Sequence, residues 1–215
     1  MKTAKKEWLL TVLVCLLPLF AGVLLYPRLP ETMATHWGLD GTANGWSSRA
    51  MAVFGLPALL VVIHLVCLSA LARDPRRGNM SAALRTVTLW ICPALSLLCG
   101  TVTFGAGLGY EMHVATLVPV FVGVLFVVIG NYLPKTRQNH TMGVRTPWTL
   151  ASEENWTRTH RVAGFAWVGA GLWILLAALL RLQGTAMIVG PLALAAGLPV
   201  LYSYGYSRRE KSERK

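Results

Sequence analysis

Long uncharged runs separated by short charged segments organise this chain. Six stretches, 8–26, 50–72, 86–110, 114–133, 162–180 and 182–206, contain no Asp, Glu, Lys or Arg. Each holds about 19 residues or more, enough for a helix to cross a hydrocarbon core of roughly 30 Å. They predict an all-α, polytopic membrane protein with six transmembrane helices. The first run follows Lys2, Lys5 and Lys6 and so imitates a signal peptide. It is too long for a typical signal core, and five further spans come after it, so it reads as a retained helix.

Composition agrees. Apolar residues make up 54% of the chain and charged residues 13%, with a mean hydropathy of +0.52. Soluble domains carry about 25% charge, and disordered chains are poor in apolar residues, so both classes are excluded. A net charge of +11 would suggest nucleic acid in a soluble protein. Here the distribution explains it. Seventeen of the 20 Lys and Arg fall in the N-terminus, the loops after spans two and four, and the C-terminal tail. Only Arg28, Arg49 and Arg181 lie on the other side. This asymmetry predicts a multi-pass protein with both termini cytoplasmic and no direct contact with nucleic acid.

Catalytic and metal chemistry find little support. Cys15, Cys67, Cys92 and Cys99 all sit in apolar runs without ligand or redox spacing, as small buried side chains do. His64 is the one ionisable residue well inside a span, and such residues are functional candidates by default. No acid or base deep in another span partners it, and a neutral, satisfied histidine is the simpler reading. Glu111 and His113 share a short turn, but no H-E-x-x-H or G-x-S-x-G accompanies them. The two aspartates, Asp40 and Asp74, lie in loops. No enzyme activity, cofactor or metal is expected.

Two connections are long, 27–49 outside and 134–161 inside, and loops on a rigid scaffold are where specific chemistry concentrates. In the outer loop Pro27 and Pro30 favour extended backbone, Asn44-Gly45 is a tight-turn pair, and Trp37 and Trp46 suit the membrane interface. Its spacing of Glu31, His36 and Asp40 fits no standard metal site. In the inner loop Ser152 is an expected N-cap, with Glu153 and Glu154 in the positive first turn of a helix running into span five. Trp156, His160, Ala163 and Trp167 then share one face. Gly143 supplies a turn closed to other residues, and Pro147 holds Thr146 extended. Arg145 between them is expected on a rigid, hairpin-like segment, with Trp148 as its interfacial anchor. Its guanidinium can fork onto a carboxylate, a carbonyl or a lipid phosphate, or pin the loop to Glu153, Glu154 or a helix C-terminus.

These residues resemble a known family. The inner stretch Gly130-Asn131-Tyr132-Leu133-Pro134-Lys135, then Gly143-Val144-Arg145-Thr146-Pro147-Trp148-Thr149-Leu150, then Trp156 and Thr159-His160-Arg161, is similar to the signature of the bacterial SdpI family. The outer stretch from Leu29-Pro30 through His36-Trp37, Gly41 and Gly45-Trp46 is similar to that family's N-terminal domain of unknown function. Where that outer motif often carries an aspartate after its glycine, this chain has Asn44. The resemblance implies a non-enzymatic integral protein of the bacterial plasma membrane. It implies an immunity and signal-receptor protein that resists a secreted antimicrobial peptide toxin. It further implies that a small winged-helix repressor is held at the membrane. The alternative reading is a small-solute transporter or channel, which needs a polar pathway that His64 and scattered hydroxyls do not supply.

The expected organisation is an N-terminal half, 1–110, with its outer loop, and a C-terminal half, 111–215, with the motif loop. Leu29-Pro30-x-Thr32-x3-His36 matches Leu133-Pro134-x-Thr136-x3-His140 at a constant offset, the pattern of a 3+3 inverted repeat. The inner candidates are Asn131, Pro134, Gly143, Arg145, Thr146, Pro147, Trp148, Trp156, Thr159, His160 and Arg161. The outer candidates are Pro30, His36, Trp37, Gly41, Asn44 and Trp46.

Overall fold

The computed structural model describes residues 2–182 and 184–213; the basic residues Arg214 and Lys215 lie outside them. Among the described residues seven α-helices form, α1 (Lys2–Leu25), α2 (Leu56–Arg73), α3 (Ala82–Gly107), α4 (Val114–Tyr132), α5 (Pro147–Ala151), α6 (Glu153–Leu179) and α7 (Thr185–Glu213). All but α5 are long and apolar enough to cross a membrane. Their surfaces fit that role. Leu24, Phe165, Leu179 and Leu201 are each more than 70% exposed. A water-soluble protein does not leave so many large apolar side chains uncovered, whereas lipid tails cover them without penalty. The protein is therefore an all-α, polytopic membrane protein.

The chain divides into two compact units. The first comprises residues 1–70 and 88–117, the second 71–87 and 118–215. In the first, Leu29, Met33, Ala52, Val53 and Phe104 form a buried cluster. His64 is fully buried and bonds Thr11 at 3.0 Å, while Ser96 donates to the Cys15 carbonyl. The four cysteines are free thiols.

The outer loop is not irregular. It forms an antiparallel hairpin of β1 (Thr32–Trp37) and β2 (Ala43–Ser48). The Asn44-Gly45 pair is not its turn, contrary to the sequence expectation. Both residues lie in β2, with Gly45 opposite His36. The Asn44 side chain bonds His36 Nδ1 at 2.6 Å across the strands. The reversal occurs at 38–42 instead. There the Asp40 carboxylate accepts from the Thr42 N–H and hydroxyl, and Gly41 takes a φ of +80°. Arg49 ties the hairpin to the end of α1. It donates to the Tyr26 and Leu29 carbonyls, and its guanidinium carbon lies 4.5 Å from the Tyr26 ring centroid.

In the second unit α4 and α6 meet backbone to backbone. A Cβ built on Gly171 would lie 2.6 Å from the Gly123 carbonyl oxygen, and one on Gly123 2.9 Å from that of Gly171. Gly130 and Gly164 repeat the reciprocal contact one step along. Only glycine permits that approach, and without a hydrophobic driving force in lipid, close packing is what holds helices together. Phe126 stacks on Trp167 at 4.5 Å, and Trp167 Nε1 donates to the Ala195 carbonyl of α7.

Candidate functional site

The inner motif is built outward from α6. Ser152 caps that helix by accepting from the Asn155 N–H, as expected, and the helix continues without a break through span five. Trp156 is buried and donates through Nε1 to the Thr136 carbonyl at 2.8 Å. One turn later His160 stacks on it with centroids 4.0 Å apart. Val144 N–H donates to His160 Nε2 at 3.0 Å, so that nitrogen is bare. His160 Nδ1 then carries the proton and donates to the Trp156 carbonyl at 2.8 Å. The partners fix a neutral imidazole in one tautomer. Gly143 sits at the Nε2 edge of the ring. Its φ is +107°, and a Cβ there would sit 2.1 Å from His160 Nε2. The position excludes side chains on both grounds.

Thr146 is extended, as Pro147 requires, but the chain then enters a short helix rather than a hairpin. Thr146 caps α5, Pro147 occupies its first turn, and Thr146 and Thr149 close a reciprocal capping box. Thr149 Oγ1 also reaches the Val144 carbonyl at 2.8 Å. The strong pull of an N-cap in front of proline explains why the hairpin expectation fails. Trp148 donates to Ser203 Oγ on α7 at 2.6 Å and meets Tyr204 edge-on. Thr159 donates to Asn155, whose amide reaches the Ser203 carbonyl.

A second loop, between α2 and α3, is stitched to the motif loop. The Asp74 carboxylate accepts from the His140 N–H at 2.9 Å, the Thr141 hydroxyl at 2.5 Å and the Arg76 N–H at 2.7 Å. Burial pushes this carboxyl up. The Thr141, Arg76 and His140 hydrogen bonds and the nearby His140 charge outweigh it and hold it below its ordinary 3.8. Gln138 donates to the Thr149 and Leu150 carbonyls and accepts from Arg76. Asn79 donates to the Gln138 carbonyl and accepts from the Arg137 N–H. Asn139 is fully buried, and its Oδ1 accepts from Thr141 and Met142 N–H. Nearly every polar group inside this double loop is committed to holding its backbone.

The structure brings Gly143, Arg145, Thr146, Pro147, Trp148, Trp156, Thr159 and His160 into one fabric, with Pro134 packed against Gly164. Asn131 and Arg161 are exposed on α4 and α6. Arg145 is exposed and donates one N–H to the His140 carbonyl at 2.6 Å. Glu154 pairs with Arg158 instead. Asp74, Asn79, Gln138, Thr149 and Ser203 were not singled out by sequence. Thr149 lies inside the quoted motif stretch, Gln138 falls in the gap between its quoted parts, and Asp74 is the sole acid of its loop, which is the only local signal they carry.

The outer candidates lie together on the hairpin. His36 and Asn44 pair across it, Trp37 faces Ala43, Trp46 is 59% exposed, and Pro30 precedes β1. The Thr42 hydroxyl and N–H hold the Asp40 carboxyl below its usual value. Asp40 and His36 are thus each engaged by a neighbour, and among the described residues no three His, Cys, Asp or Glu side chains gather as a metal centre requires.

Known proteins match the chain along the same division. The profile of the SdpI/YfhL protein family matches residues 135–203, the stretch from the motif loop into α7. A domain of unknown function, DUF1648, matches residues 13–61, which contain the hairpin. The chain is 26% identical over 211 residues to the protein named Immunity protein SdpI of Bacillus subtilis (strain 168). That alignment covers 98% of this chain and all of the relative. No solved structure matches. The resemblance read from the motifs is borne out over both loops.

Proposed function

We propose that this SdpI-family membrane protein is a non-enzymatic immunity protein that makes its cell resistant to a secreted antimicrobial peptide. The observation that carries the reading is the end-to-end likeness to Immunity protein SdpI, which takes in both long loops as well as the spans. The geometry of the inner site supports it. His160 is locked as a neutral acceptor, Asp74 is consumed by three donors, and Thr146 and Thr149 cap one another. This is the chemistry of a rigid platform that presents Arg145, rather than of a site that turns over substrate.

In this reading both termini and the double loop face the cytoplasm, a placement that the charge distribution supports. The hairpin then meets the toxin outside. The platform around Arg145 is the face a cytoplasmic partner reads, a small winged-helix repressor among them. Complementation tests the immunity role. Bacillus subtilis cells deleted for their own SdpI are expected to survive culture medium from toxin-producing cells when they carry this chain. Killing equal to that of the empty strain, with the protein present in the membrane, contradicts it.

A further inference from the structure

The double loop turns its acids inward and its bases outward. Residues 71–87 and 133–151 contain a single acid, Asp74, which is buried and fully engaged. The same segments expose Arg76, Arg77, Lys135 and Arg137. Hydrogen bonds from Arg76 to Gln138 and from the Arg137 N–H to Asn79 hold the two segments together, so these cations share one scaffold. Glu154, on the adjoining α6, is taken by Arg158. The outward face therefore carries a concentrated positive charge that the loops themselves leave unbalanced.

The helices fix where that face stands relative to lipid. On α6, Arg161 is exposed, and Phe165, one turn further along the same face, is 77% exposed. An exposed cation one turn from an uncovered aromatic ring marks the boundary between headgroups and acyl chains. His160, the residue next to Arg161, holds Val144 of the motif loop, so the loop lies at that boundary. Lys135, in the short turn that follows α4, has its ammonium 4.9 Å from the Tyr132 ring centroid, the arrangement of an aromatic at headgroup depth.

We propose that Arg76, Arg77, Lys135 and Arg137 of the double loop, with Arg161 beside them, form a binding face for the phosphate headgroups of anionic phospholipids in the adjacent leaflet. The charge complementarity is direct: phosphodiesters supply the anions the platform lacks, and guanidinium groups fork onto them. The face is independent of the immunity reading, because it needs neither toxin nor cytoplasmic partner.

The test uses the full-length protein in vesicles of mixed phosphatidylglycerol and phosphatidylcholine. Electron spin resonance of spin-labelled lipids measures how strongly each lipid is retained at the protein surface. The wild type is expected to prefer phosphatidylglycerol several-fold. Arg77→Gln with Arg137→Gln should remove most of that preference, since each surface charge contributes up to about five-fold. Arg208→Gln with Arg209→Gln, in the tail of α7 and outside the two loop segments, should preserve it. Retention of the preference in the first variant overturns the proposal, as does equal loss in the tail variant. The wild type alone gives a second measurement should the loop variant fail to insert. Its preference should fall in about 1 M salt, where the Debye length is about 3 Å; a salt-insensitive preference overturns the proposal. So does loss of the preference to added inorganic phosphate at constant ionic strength, which identifies a site for the free ion. Selective displacement of lipid by an acidic peptide identifies a protein-docking face and likewise overturns it.

Discussion

Val144 and His160 are joined by a backbone-to-ring hydrogen bond of 3.0 Å, with the glycine before Val144 set against the edge of the ring at the same nitrogen. The loop and α6 thus constrain each other through one imidazole. His160→Phe keeps a ring against Trp156 but leaves the Val144 N–H without an acceptor, at an expected cost of about 1–3 kcal/mol. Gly143→Ala should cost at least about 2 kcal/mol, from both the φ of +107° and the clash. In a cycle of wild type, Gly143→Ala, His160→Ala and the double variant, the double variant loses the clash and keeps the dihedral strain, so the losses of the two alanine singles should be less than additive. Thermal unfolding in detergent reads all four proteins; strict additivity contradicts the shared contact.

Asp74 gives the stitched loops a pH signature. Its carboxyl titrates below 3.8 in the folded protein. The stability it contributes is therefore complete above that pH and disappears as the pH falls through the lower native value. Asp74→Asn should destabilise at neutral pH by about 1–3 kcal/mol and flatten the acid limb of the stability curve. An acid limb unchanged by the substitution would show that Asp74 does not hold the loops.

The reciprocal glycine contacts of α4 and α6 have an internal control. Gly171→Ala places a methyl group 2.6 Å from the Gly123 carbonyl oxygen, whereas nothing lies within 4 Å of a Cβ at Gly169. The first substitution should lower the unfolding temperature markedly and the second leave it unchanged or raise it. Equal effects at the two positions contradict the backbone-to-backbone packing of α4 on α6.

How far the sequence leads depends on the range of each interaction. The six uncharged runs, the Ser152 cap and the face shared by Trp156, His160 and Ala163 are local patterns, and each appears where the pattern places it. The hairpin reversal misleads because Asn44-Gly45 is a genuine local turn signal. Its asparagine is captured by His36 across the strands, and Asp40 secures the reversal a few residues earlier instead. The Asp74–Thr141 bond joins residues 67 apart, and Trp148–Ser203 residues 55 apart. No period or spacing connects such positions. The segments beginning Leu29-Pro30 and Leu133-Pro134 each bury their leucine, yet one continues into a strand and the other into the irregular motif loop. An inverted repeat therefore remains a proposal resting on the spacing of their matched residues.

Orientation has its own test. Reporter fusions at Asp40 and Asn139 are expected to lie on opposite sides of the membrane, with Asn139 in the cytoplasm, because the basic residues concentrate in its loop and in both termini. Reporters on the same side contradict the six-span arrangement.

The double loop is a platform whose exposed guanidinium, Arg145, is proposed to carry the function. Arg145 spends one N–H on the His140 carbonyl at 2.6 Å and leaves the rest of its fork exposed. Lysine can keep that single bond and the charge but not the fork. The decisive measurement is survival of toxin-challenged cells expressing Arg145→Lys at a membrane abundance matched to wild type. Protection is expected to be lost while abundance stays normal. Full protection by Arg145→Lys, or a loss of protection that only tracks a loss of abundance, contradicts a recognition role for Arg145.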